Sequence, residues 1–86
     1  MFYIYIIQSV KDHRCYIGST NDLRDRFAKH NEGHIFSTKF RRPLKLVYYE
    51  AYRAESDARK RESNLKLRSR AYTQLKKRIK DSLVWG

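Results

Sequence analysis

The sequence predicts a small α/β domain of the α+β type. Its core is a three-stranded, mainly antiparallel sheet flanked by helices, in the order β-β-α-β-α-α. Three observations predict it. Two β-branched and aromatic runs, Phe2 to Ser9 and Cys15 to Ile17, are separated by a polar stretch of hairpin length. Later stretches repeat apolar residues at three- and four-residue steps. A further apolar run, Leu44 to Tyr52, lies between the helical patterns. With 86 residues, the chain has room for one domain, residues 1–86, with one modest core. A sheet covered by helices is the economical way to bury these stripes.

The first run is apolar on both faces, so it reads as the central strand. It starts without a basic lead or a small-residue cleavage site, which argues for a strand and against a signal peptide. Val10 to Arg14 is the hairpin connection. Gly18 ends the returning strand where the backbone needs a bend or a close approach. Ser19-Thr20-Asn21-Asp22 is rich in helix N-cap residues, and Asp22 suits the positive end of a helix. The helix then runs to about Asn31. Leu23 and Phe27 form its buried stripe, with Arg26 and His30 one turn apart on an adjacent face. Gly33 is a stop signal. His34 to Pro43 is a basic loop, and Leu44 to Tyr52 is the third strand. A second helix starts near Glu55-Ser56-Asp57, capped by Ser56 or a neighbour, and ends close to Ser69. Tyr72, Leu75, Ile79 and Leu83 mark a third helix.

Charge is unevenly spread within a net of +11. Met1 to Thr38 carries five Lys/Arg against four Asp/Glu, whereas Arg59 to Lys80 carries ten against the single acid Glu62. The apolar residues in that block are spaced to pack on a core, which disfavours membrane insertion. No apolar run approaches the ~20 residues of a membrane span. Nucleic acid is the expected partner. Cys15 is the only cysteine, so neither an internal disulfide nor a multi-cysteine zinc site can form. It reads as a small buried apolar group and fits a reduced, cytoplasmic setting, nucleoid-associated in a bacterium.

Tyr3-Ile4-Tyr5, then Tyr16-Ile17-Gly18-Ser19-Thr20-Asn21-Asp22-Leu23, then Arg26 and His30, together resemble the GIY-YIG nuclease domain, above all its small stand-alone members. Ala58-Arg59-Lys60-Arg61-Glu62 resembles its helix bearing an acidic residue. The likeness spans nearly the whole chain and implies a metal-dependent endonuclease acting on DNA, with RNA not excluded. By that likeness Tyr16 deprotonates the attacking water and Tyr5 supports the same site. Arg26 contacts the phosphate, His30 assists, and Glu62 holds one Mg²⁺ or Mn²⁺. A free tyrosine has a pKa of ~10, and a nearby guanidinium and cation favour its phenolate. Arg26 can fork onto two phosphate oxygens. Lys39, Arg41, Arg42, Arg59, Lys66 and Arg70 are the candidate nucleic-acid contacts, giving salt-sensitive, sequence-independent binding.

The same residues also read without chemistry. Tyr5 and Tyr16 read as paired sheet aromatics, Arg26 as a solvated helix charge pairing Asp22 at i−4, His30 as a helix-dipole partner, and Glu62 as the partner of Lys66. The chain departs from the family pattern at Tyr3, in place of a glycine, and at Ser19, where excision-repair relatives carry lysine. Asn64 lies too close to Glu62 to match an asparagine that some relatives use, and Gln74 is at best a substitute. No helix-turn-helix or zinc finger is present to read bases. Specificity then comes from substrate structure, a homodimer or a protein partner. The alternative function is a non-catalytic nucleic-acid-binding module on a nuclease-derived fold.

Overall fold

The computed structural model describes residues 1–67 and 70–83. The strands are β1 (Phe2–Ser9), β2 (Cys15–Thr20) and β3 (Leu44–Tyr52), and the helices are α1 (Leu23–Asn31), α2 (Glu55–Lys66) and α3 (Arg70–Arg78). Short 3₁₀ turns cover Lys39–Arg41 and Lys80–Ser82. The element order is the expected β-β-α-β-α-α. The sheet order is β2-β1-β3, and both pairings are antiparallel. β1 is therefore central, and its residues from Ile4 to Ser9 are buried.

Alternation along β1 divides the core. Ile4 and Ile6 pack with Ile17 against Ala58, Leu65 and Leu75 of α2 and α3. Tyr5 and Ile7 pack with Leu44 against Leu23 and Phe27 of α1. The sheet is thus sandwiched, α1 on one face and α2 with α3 on the other. On the second face Glu50 accepts hydrogen bonds from the Tyr48 and Tyr52 hydroxyls and from Arg61, whose Nε lies 3.0 Å from Oε1. This cluster ties β3 to α2.

Several boundaries differ from the sequence reading. β2 continues through Gly18 to Thr20 because Gly18 allows a close approach and imposes no bend. A Cβ there would sit 2.4 Å from the Tyr5 hydroxyl, its register partner across the hairpin. The connection closes through His13, at φ 63°, and Asp12 Oδ1 accepting from the Arg14 amide. Asp22 caps α1 by accepting from the Asp25 amide. Gly33, at φ 82°, ends it: the Gly33 amide donates to the His30 carbonyl and the His34 amide to the Lys29 carbonyl. That pair is a Schellman cap. Leu23 and Phe27 are only half-buried, and the fully buried residue of α1 is His30.

Ser56 is not the cap of α2. Ala54 occupies that position without a side-chain hydrogen bond, and Glu55 and Asp57 supply negative charge to the first turn. The last helical residue described before the gap is Lys66, and Ser69 lies outside the described residues. α3 stops at Arg78, short of Leu83, because Ile79 leaves helical geometry at ψ 24°. Leu83 is buried nonetheless.

Candidate active site at the edge of the sheet

Strand parity brings the first group together. Tyr5 pairs with Gly18, and Ile7 pairs with Tyr16, so both tyrosines project from the α1 face. They are diagonal neighbours and not a directly opposed pair, with ring centroids 6.3 Å apart. Gly18 lets the Tyr5 ring lie across the backbone of β2. α1 lies over them and delivers Arg26 and His30, one turn apart, to the same spot.

The Tyr5 hydroxyl lies 2.9 Å from His30 Nε2, and His30 Nδ1 lies 2.7 Å from the Thr38 hydroxyl. Tyr5, His30 and Thr38 are all buried. Burial, helped by the charge of Arg26, holds the His30 pKa down at about 4, so the ring is neutral at neutral pH. Burial raises the Tyr5 phenol above its ordinary value, outweighing the opposing influence of Arg26. Arg26 favours phenolate at Tyr5, but desolvation of the anion outweighs it and the phenol stays protonated. Arg26 can only donate, so the phenol oxygen is assigned as its acceptor. The phenol proton then points to Nε2, and Nδ1–H donates to Thr38. The Tyr16 ring stacks edge-on to His30 at 5.0 Å and is only half-buried. It is the tyrosine of the pair that water can reach.

Arg26 is unusual. Its pKa is raised, mainly by the Tyr5 phenol and also by Tyr16. Its Nε is buried without a hydrogen-bond partner among the described residues. Asp22 is not its partner, since that carboxylate caps the helix, and the i,i+4 pair of α1 is Lys29 with Asp25. Among the described residues no carboxylate neutralises Arg26. A half-buried guanidinium with a buried, unpaired donor costs free energy unless an anion completes it.

Glu62 reaches this edge from the other face. Ser19 pairs with Ile4, so it points toward α2, where its hydroxyl donates to Glu62 Oε1 at 2.6 Å. Lys66 Nζ lies 2.8 Å from Oε2 and 5.8 Å from the centroid of the Tyr16 ring. Burial works to raise the Glu62 pKa. Hydrogen bonds from Lys66 and Ser19, with the charges of Lys66 and Arg59, outweigh it and hold the carboxyl below its ordinary value. Glu62 is thus an ionised, four-fifths buried carboxylate that already holds a cationic group. β2 is an edge strand with no side chain at Gly18, and the two faces communicate around it.

The expected nucleic-acid contacts divide. Lys39, Arg42 and Arg70 are exposed. Arg41 is half-buried with its Nε 3.3 Å from Asp12, Arg59 pairs with Glu55 at 2.9 Å, and Lys66 is held by Glu62. Two participants escaped sequence reasoning. Thr38 sits in a loop whose path no periodicity reveals, and Ser19 reads as part of a cap-rich turn and as a departure from the family pattern, not as the partner of Glu62.

A tyrosine hairpin under a helix bearing arginine and histidine, with one carboxylate at the same edge, places this protein among small α+β domains of nuclease type. The model of the GIY-YIG catalytic domain matches residues 1–80, and the chain belongs to that family. It is 45% identical over 69 residues to a UPF0213 protein of Staphylococcus saprophyticus, covering 79% of this chain and 83% of that one. A UPF0213 protein of Staphylococcus aureus is 41% identical over 76 residues, 87% of each chain. The solution NMR structure of a UPF0213 protein from Bacillus halodurans superposes with a TM-score of 0.54 at 32% identity, covering 87% of this chain and 81% of that one.

Proposed function

We propose that this protein is an endonuclease that hydrolyses DNA phosphodiester bonds with one divalent cation, Mg²⁺ or Mn²⁺. The observation that carries the reading is Arg26, a half-buried cation that no carboxylate pairs among the described residues, with a buried, unpaired Nε, beside two phenols. A phosphodiester supplies the missing anion and accepts the fork of the guanidinium. Tyr16, half-exposed, is the water-facing base. Tyr5, buried and held protonated, positions Arg26, and neutral His30 with Thr38 anchors Tyr5 from behind.

The family resemblance makes Glu62 the candidate metal ligand; among the described residues no three His, Cys, Asp or Glu side chains cluster. The donor set suits the cation. Glu62 is ionised, its Oε1 is oriented by Ser19, and its Oε2 already binds an ammonium. Mg²⁺ commonly takes one or two carboxylates, with waters and substrate phosphate completing the shell. When bound, the cation acidifies water and withdraws charge from the leaving oxygen.

One such site nicks one strand. A double-strand break requires two copies, and a homodimer or a protein partner is the proposed source of specificity. No described helix is long and apolar enough to cross a membrane.

The test compares wild type with Tyr16→Phe, Arg26→Ala and Glu62→Gln on supercoiled plasmid and branched oligonucleotides, with Mg²⁺, Mn²⁺ or chelator. The expected result is metal-dependent nicking lost in all three variants. Nicking retained in Glu62→Gln refutes the metal assignment. A second reading is a binding module without turnover, favoured by the Lys66 ammonium on Glu62. Salt-sensitive DNA binding by every variant, with no Mn²⁺ uptake and no nicking, is its signature.

A further inference from the structure

Phe36 and Phe40 belong to neither core cluster, and they are 85% and 71% exposed. Single exposed apolar residues are ordinary. These two share one loop with Lys39, Arg41 and Arg42, and that loop is not slack. Thr38, two residues from each ring, is buried and hydrogen-bonded to His30. Ser9 donates to the Arg41 carbonyl at 2.7 Å. Arg42 Nε donates to the Lys39 carbonyl at 2.8 Å, and its guanidinium lies against Gly33, where a Cβ would stand 3.0 Å from it. The loop is therefore a pinned platform, and its pin is a residue of the candidate active site.

Beside it opens a cleft of about 490 Å³ lined by Lys11, Asn31, Lys39, Phe40, Arg42 and Pro43. Phe40 and Pro43 offer apolar walls, three cations surround them, and no acid lines it. Lys39 Nζ sits 5.5 Å from the Phe40 centroid. An exposed aromatic face ringed by cations matches the chemistry of an unpaired nucleotide, whose base stacks while its phosphate is neutralised. A base inside a duplex is already stacked and offers no free face to Phe40.

We infer that the Phe36–Phe40 loop is a stacking platform for unpaired DNA bases, which holds a single-stranded segment of the substrate beside the catalytic edge. This rests on the reading of the protein as a DNA nuclease and names its substrate class: DNA with a single-stranded segment, such as a flap or branch.

The test measures binding in chelator, so that it does not depend on turnover. Fluorescence anisotropy compares a labelled thymidine oligonucleotide with a duplex of equal length, across a salt series, for wild type, Phe36→Ala, Phe40→Ala and Lys39→Ala. Phe40→Ala is expected to weaken single-strand binding roughly tenfold, with duplex affinity and salt slope unchanged, because stacking contributes no counterion release. Lys39→Ala is expected to weaken both substrates and to reduce the salt slope by about 0.7–0.9. Circular dichroism checks that each surface variant stays folded. Equal losses on both substrates, or none in either phenylalanine variant, overturn the platform. So does a dimer, seen by sedimentation, that Phe36→Ala dissolves while DNA affinity stays constant; the rings would then face a second copy. None of these outcomes depends on cleavage, so an inactive protein that passes refutes only the nuclease. A nicking protein that fails refutes only the platform.

Discussion

His30 should make the protein lose stability on mild acidification, in a window of its own. The ordinary histidine value is 6.5, and burial with Arg26 holds His30 at about 4 in the fold. The unfolded chain therefore binds a proton that the native chain refuses. Stability is fully present above pH 6.5 and is lost as pH falls toward 4. Lowering the value from 6.5 to about 4 corresponds to about 3 kcal/mol across the window. That is a large share of the roughly 5–10 kcal/mol a domain of this size commands. Glu50, Glu62 and Asp12 are held below their ordinary values and add losses lower down, as pH falls through the carboxylate range. The assay is urea unfolding between pH 7.5 and 4.5, for wild type and for His30→Gln, which keeps a donor and an acceptor but cannot titrate. The wild-type midpoint should fall by on the order of 2 M more than that of the variant. Equal pH slopes in the two proteins would refute the reasoning, as would an NMR titration placing the His30 midpoint near 6.5.

Other perturbations follow from the same geometry. Gly18→Ala drives a methyl to within 2.4 Å of a phenol that His30 and burial hold in place. It should cost about 1–3 kcal/mol and lower Tm by roughly 5–15 °C. Adding Tyr5→Leu should remove much of the Gly18→Ala penalty, and strict additivity in thermal melts would exclude the clash. Lys66→Met removes the ammonium that competes for Glu62 Oε2. Because the Lys66 side chain is 48% exposed, the gain in Mn²⁺ affinity should be modest, about two- to fivefold by calorimetry. An unchanged affinity would mean that Lys66 and metal do not share the site. Glu50→Leu leaves Arg61 half-buried without its counterion and should cost about 3 kcal/mol in urea unfolding. Glu50→Leu with Arg61→Leu should recover part of that, and no coupling would argue against the clamp.

The sequence made the elements legible because their signals are local. Period-2 and period-3.6 patterns gave the element order, and the bounds of β1, β3 and α1 were close to those observed. Local signals failed where a tertiary contact overrode them. Gly18 reads as a strand end, yet β2 continues, because the glycine answers to Tyr5 across the hairpin. Ser56 reads as a cap, yet the cap position falls two residues earlier, at Ala54, with acidic residues meeting the helix dipole. A basic residue in a sequence also does not announce its neutraliser. Arg41 is tied to Asp12 across a separation no pattern encodes, whereas the Arg59 pair with Glu55 is a readable i,i+4 contact.

The candidate site divides along the same line. Tyr5 and Tyr16 share a face by hairpin register, and Arg26 and His30 share a face by helical period, so half of the cluster follows from parity and pitch. Glu62 does not. It sits on the opposite side of the sheet from the tyrosines and meets their edge only because α2 crosses β2 beside Ser19. Arg61, the residue before it, is clamped by Glu50 on β3, and that clamp sets the rotation at which α2 presents Glu62. The resemblance named the acid; geometry supplies the reason it can act there. A carboxylate on the same face as Arg26 would neutralise it and occupy the place of the phosphate. Under the proposed function, Glu62, held around the edge and oriented by Ser19, holds a cation without quenching the guanidinium. The separation of the two charges onto opposite faces of the sheet leaves Arg26 without a carboxylate among the described residues, which is what the proposed phosphate contact requires.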